Sequence, residues 1–163
     1  MHRRETLLKN VQAKLERIMP NGAGFNFSGK LRSVQRYKHS WKDAYHAVNN
    51  VSDIPLILIR TTGESRSDPR EHDTFARRID LDLEWVFRGG TADDEDLIAA
   101  IQDVERALFG DPGDPMMAFG VGATEPDWLC SLIDPVANMP TDGFHFVLSL
   151  TYETQIGDPS QGV

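Results

Sequence analysis

Residues 144–153 read Phe-His-Phe-Val-Leu-Ser-Leu-Thr-Tyr-Glu, and their alternation decides the fold. Successive side chains of a strand face opposite sides of its sheet. Phe144, Phe146, Leu148, Leu150 and Tyr152 therefore share an apolar face. His145, Val147, Ser149, Thr151 and Glu153 share the other. A strand this close to the end of the sequence stays ordered only if it is stitched into a sheet.

Working upstream, residues 77–87 show the same period. Ile79, Leu81, Leu83, Trp85 and Phe87 alternate with Arg78, Asp80, Asp82, Glu84 and Val86. Residues 54–60, Ile-Pro-Leu-Ile-Leu-Ile-Arg, form a continuous run of branched apolar residues, the mark of a strand buried on both faces. Pro55 fits only at its start. The two segments predict an antiparallel hairpin, with polar residues 61–74 as its tip or a long loop. Val34–Tyr37 suit a short strand, and Ser40 can cap a brief helix over 41–47.

Helical spacing appears twice. Leu7, Leu8, Val11, Leu15 and Ile18 mark a helix over 4–19, ended by Pro20-Asn21-Gly22. Its polar face is basic, with Arg3, Arg4, Lys9, Lys14 and Arg17. Leu97, Ile98, Ile101, Val104, Leu108 and Phe109 mark a second helix. Thr91 reads as its N-cap, and Asp93 to Asp96 load its first turn, where negative charge suits the helix dipole. Gly110, Asp111 and Pro112 stop it. Residues 110–142 are rich in Gly and Pro and read as a second long loop, with short strands or turns at Ala118–Val121 and Trp128–Ile133. The pattern predicts one α+β domain with a core over 4–157. Two helices pack on one face of a mostly antiparallel sheet, closed by a C-terminal strand.

Composition bounds the function. The 163 residues suit one domain, and the formal net charge of −8 opposes broad phosphate binding. One cysteine, Cys130, makes no internal disulfide and reads as a buried thiol rather than a nucleophile. No apolar run approaches the ~20 residues of a membrane span. Arg3 and Arg4 precede Glu5 and Lys9, which does not read as a signal peptide. The expectation is a soluble protein of a reducing cytoplasm.

Chemistry is sparse. Asp80, Asp82 and Glu84 set three carboxylates on one strand face, where hard cations find oxygen ligands, but no convergent ligand follows from another element. Such a run more often marks a solvated or interface face. The histidines His2, His39, His46, His72 and His145 form no H-x-x-x-H pair, and there is no G-x-S-x-G elbow. Asn21-Gly22-Ala23-Gly24 lacks the Lys-Ser/Thr of a phosphate loop. The paired aromatics of 144–152 lie with leucines, as core rather than as a nucleic-acid platform. A strong scaffold with long loops suits an assembly subunit.

The order of elements resembles a known family. An amphipathic helix leads to Asp53-Ile54-Pro55-Leu56-Ile57-Leu58-Ile59. A polar loop with Gly63-Glu64 follows, then the alternating strand 78–87 and the acidic-capped helix 92–109. The pattern ends on Phe144-x-Phe-x-Leu-x-Leu-x-Tyr152-Glu-Thr with Gly157-Asp158-Pro159. This resembles the tail terminator (tail completion, minor tail protein U-like) proteins of long-tailed bacteriophages and prophages. The resemblance implies a structural virion protein and not an enzyme, with no cofactor and no metal. It implies a hexameric ring on the head-proximal end of the tail. That ring stops tube elongation and offers the head–tail joining surface. Its partners would be further copies of itself, the tail tube protein and a neck or head-completion protein. No membrane is involved, and DNA passes through the lumen without specific binding. The subunit would be made in the host cytoplasm. Candidate assembly contacts are Arg66, Asp68, Arg70, Glu71, Arg78, Asp80, Asp82 and Glu84, the carboxylates meeting a neighbour or lining the lumen. Helix 4–19 is a further candidate. Two alternatives stand beside this: a head-completion or neck connector protein, and a small metal-dependent hydrolase using Asp80, Asp82 and Glu84.

Overall fold

The structure, a computed structural model, describes residues 3–36, 54–66, 74–88, 93–110, 124–133 and 141–155. Helix α1 (Arg3–Glu16) is followed by β1 (Ser33–Arg36), β2 (Leu56–Arg66), β3 (Thr74–Arg88), α2 (Asp94–Phe109), β4 (Thr124–Ile133) and β5 (Thr141–Gln155). The fold is α+β. Five strands form one sheet in the order β1-β2-β3-β5-β4. Only β1 and β2 pair in parallel; the other neighbours are antiparallel.

The apolar parities meet as their period requires. In the β3–β5 register Ile79 faces Leu150, Leu81 faces Leu148, Leu83 faces Phe146 and Trp85 faces Phe144. These residues join Leu7, Leu8, Val11, Leu15 and Ile18 of α1 and its C-terminal turn, and Ala100, Val104, Ala107 and Leu108 of α2, in one core. Both helices thus cover the same face. Trp85 is fully buried, with Phe27 edge-on at 5.1 Å and Phe144 stacked at 5.9 Å between ring centroids. Burying each such large side chain contributes about 1.5–3 kcal/mol.

Local chemistry sets the helix ends. The last turn of α1 tightens through Arg17 N–H to Lys14 C=O and Ile18 N–H to Leu15 C=O, i→i−3 bonds typical of a closing helix. Gly29, at φ 74°, then lets its N–H return to the carbonyl of Met19 at 2.9 Å. In α2 the N-cap is Asp93 and not Thr91. The Asp93 side chain accepts from Asp96 N–H at 2.9 Å, and the Asp96 side chain accepts from Asp93 N–H at 3.2 Å. This reciprocal box satisfies two donors at once, which an Asp at the third helical position makes possible.

Three further expectations are corrected. The polar segment 61–74 is not wholly loop: β2 runs to Arg66 and β3 begins at Thr74, because a bulge between Thr61 and Gly63 lets pairing continue. The segment 110–142 likewise is not wholly loop: the strand or turn expected at Trp128–Ile133 is part of β4, which begins earlier, at Thr124, and pairs with β5 along most of its length, and the segment also holds the start of β5. The sheet does not close on itself. β5 lies inside it, between β3 and β4, and β1 and β4 are its edges. The expected helix 41–47 and the expected strand or turn 118–121 lie outside the described residues. No helix among the described residues is long and apolar enough to cross a membrane.

Candidate functional site

The charged groups of interest lie on the sheet face turned away from the helices. β3 presents Asp80, Asp82 and Glu84 there, since Ile79, Leu81, Leu83 and Trp85 occupy the opposite parity. In the β2–β3 register Arg60 stands opposite Asp82, and Leu58 opposite Glu84. The guanidinium of Arg60 bridges both acids. Its Nη2 lies 2.7 Å from Asp82 Oδ2 and 3.5 Å from Glu84 Oε1. Asp82 and Glu84 are only 8% and 2% exposed. Carboxylates buried to this degree require a cation within reach, and Arg60 supplies it. Its Nε is also buried and has no hydrogen-bond acceptor among the described residues.

One step along β3 the arrangement changes. Asp80 is paired in register with Ser149 of β5. Arg78 Nε donates to Asp80 Oδ1 at 2.9 Å, and Arg78 Nη2 donates to Ser149 Oγ at 2.9 Å. Ser149 Oγ donates in turn to Asp80 Oδ1. The serine hydrogen bond, more than the neighbouring Arg78, holds the Asp80 carboxyl below its ordinary range, against an opposing contribution from burial. Half of the Arg78 side chain remains exposed.

The three carboxylates read together in the sequence thus divide in the fold. Asp82 and Glu84 are buried within the chain and are not a solvated face. Asp80 and Arg78 form the part of the strip that reaches the surface. Among the described residues no group of three His, Cys, Asp or Glu side chains gathers as a metal site would need. Asp68, Arg70 and Glu71 lie outside the described residues. Arg66 stands near the outer end of the β2–β3 hairpin, opposite Arg77.

A second polar cluster lies at that end, on the helix face. Strict alternation from Thr61 would turn Glu64 away from α1. The bulge at Thr61/Gly63 leaves Thr62 out of the register and brings Glu64 opposite Ile79, on the core parity. There Glu64 accepts from the hydroxyl of the fully buried Tyr152 at 3.2 Å and meets Arg4 of α1 at 3.2 Å. Burial first, then the charge of Glu64, pushes the Tyr152 phenol up to about 12. Nearby, Glu5 of α1 takes a forked pair from Arg36 of β1 at 2.6 and 3.1 Å. The basic face of α1 is therefore partly engaged within the chain, through Arg4.

Sequence reasoning missed Arg60, Ser149 and Glu64 as members of these clusters. Arg60 closes an apolar run and Ser149 sits on the polar parity of the final alternating segment, so both positions carried a signal. Glu64 carried none, because its face depends on the bulge. The chain matches no protein-family model and no curated protein.

Proposed function

We propose that this chain is a structural subunit of a long-tailed phage or prophage tail. In this reading it forms a ring that caps the tail tube and presents the surface for head–tail joining. One observation carries most weight: the three carboxylates of β3 are engaged by groups of this same chain. Arg60 holds Asp82 and Glu84, and Ser149 with Arg78 holds Asp80. Carboxylates so engaged stiffen a scaffold; a hydrolytic centre instead needs ligands or bases turned toward a substrate. The hairpin of β2 and β3, carried to Arg66 and Thr74, adds an extended element of the kind that reaches neighbours in a ring. The resemblance in element order described above points the same way.

Negative-stain electron microscopy of the purified protein, alone and with isolated tail tubes, tests this. Rings in solution or capping tube ends are the expected result. A phage lacking the protein should give overlong tails or unjoined heads and tails. Normal particles from such a phage would overturn the reading.

A further inference from the structure

We infer that the outward face of α2, built on Glu95, Ile98 and Gln102, docks on the outward face of α1, built on Lys9 and Ala13, in a second copy of this chain. The inference rests on the ring reading and names one of its subunit contacts.

Both faces follow from helical spacing. In α2 the residues Ala100, Asp103, Val104, Ala107 and Leu108 are buried. Glu95, Ile98, Gln102 and Glu105 recur at steps of three and four on the opposite side, and all four are exposed. Ile98 is 56% exposed, and among the described residues it is the one large apolar side chain that stands in solvent. The acids of the first turn are accounted for by the helix dipole, but Ile98 serves neither the dipole nor the core. In α1 the buried side holds Leu7, Leu8, Val11 and Leu15. Lys9 and Ala13 lie exposed on the other side, with Arg17 one turn on. Ala13 leaves a low point in that ridge, about 6 Å along the helix from Lys9. Glu5, one turn before Lys9, takes its forked hydrogen bonds from Arg36.

The charge distribution selects the partner. Residues 3–36 carry eight Lys or Arg and two Asp or Glu, and the rest of the chain carries nine and twenty-three. The face of α1 thus belongs to the basic part of the chain and the face of α2 to the acidic part. An isoleucine beside carboxylates complements a small residue beside cations. Ile98 covers Ala13 while Glu95 meets Lys9, whose methylene stem adds apolar contact. Glu95 lies about 4.5 Å along its helix from Ile98, which matches the Lys9–Ala13 step within side-chain reach. Arg17 and Glu105 also interact within their own chain, so they border the contact and do not carry it. A contact between two different patches of identical chains is the heterologous kind from which rings are built.

The test compares self-association of wild type, K9E, E95K, I98S and an equimolar mixture of K9E with E95K, by sedimentation velocity and negative-stain imaging at low salt. Near-ultraviolet circular dichroism checks that each is folded, and E95Q serves if E95K is not. The expected result is about tenfold weaker association in each single variant. The mixture should recover, because the two reversed charges then face each other around the ring. If the single variants assemble like wild type, or the mixture does not recover, this contact is wrong and the ring reading stands. If wild type forms no ring alone or on tail tubes, both fall. If E95K and I98S form free rings like wild type but no longer cap tail tubes, the α2 face belongs to the tube protein and the inference is overturned.

Discussion

Asp103 of α2 accepts the backbone N–H of Phe27 at 2.8 Å through one oxygen, while its other oxygen accepts Asn26 N–H at 2.9 Å. The carboxylate is 2% exposed. Arg106, one turn on, donates to Gly24 C=O at 2.6 Å and lies over the Phe25 ring at 5.0 Å. The loop after α1 is thus pinned to α2, and the pin seats Phe27 against Trp85 and Phe87. Asp103→Ala would strand two donors and loosen that seat. The expected loss is about 2–4 kcal/mol in urea unfolding, with a smaller loss for Asp103→Asn, which keeps one acceptor. Equal losses for both would show that the charge, and not the acceptor geometry, matters.

Arg60 counters two buried acids, so its removal should cost more than an ordinary surface substitution. Arg60→Met leaves Asp82 and Glu84 without this cation, and a destabilisation of about 3 kcal/mol is expected. The triple variant R60M/D82N/E84Q should recover part of it, because the uncompensated charge disappears. Denaturant midpoints of the three proteins check this; a triple variant no better than R60M would refute it.

Asp80 predicts an acid-side effect with a definite sign. Its carboxyl in the folded chain titrates below its ordinary 3.8, chiefly through Ser149. The bond therefore stabilises the fold above the ordinary carboxylate value and ceases to do so as pH falls through the lower folded value. Ser149→Ala should raise the Asp80 value toward 3.8 and be less stable than wild type at neutral pH. The two proteins should converge in acid. Carbon-13 titration of the Asp80 carboxyl, alongside acid unfolding, reads both effects. An unchanged titration in S149A would contradict the geometry.

Tyr152 gives the alkaline counterpart. Its phenol, raised from 10 to about 12, favours the folded state below pH 10, and that contribution is lost as pH rises through 12. The ultraviolet difference titration between wild type and Tyr152→Phe should show a phenol ionising near pH 12. A step near 10 would mean that the hydroxyl meets water. Glu64→Gln removes the nearby negative charge and should bring the step down.

Much of this architecture was legible in the residues. The alternations at 77–87 and 144–152 set the β3–β5 parity, and the stripe of α1 showed which face it buries. The stripe of α2 showed its buried face only in part: Val104 and Leu108 are buried, but Ile98 is 56% exposed, and Ala100, Asp103 and Ala107 complete the buried face. Residues 62–66 were harder to read. Near the end of a hairpin both faces meet solvent, so composition turns polar and the period fades although backbone pairing continues. Asp82 and Glu84 looked like solvated charges because nothing local to β3 reveals Arg60 on the neighbouring strand. In the sequence Asp103 is one more polar residue of an amphipathic helix. Its role depends on Asn26 and Phe27, more than seventy positions away. Long-range partners of this kind leave no period to read.

The placement of β5 between β3 and β4 governs how the polypeptide can mature as it is synthesised. Until residues 141–155 have cleared the ribosome, β3 has a bare edge and β4 has no strand of this sheet to join. Nascent chains halted before that point should therefore be sticky and protease-sensitive, and the folded sheet should arrive abruptly, with the emergence of this one segment.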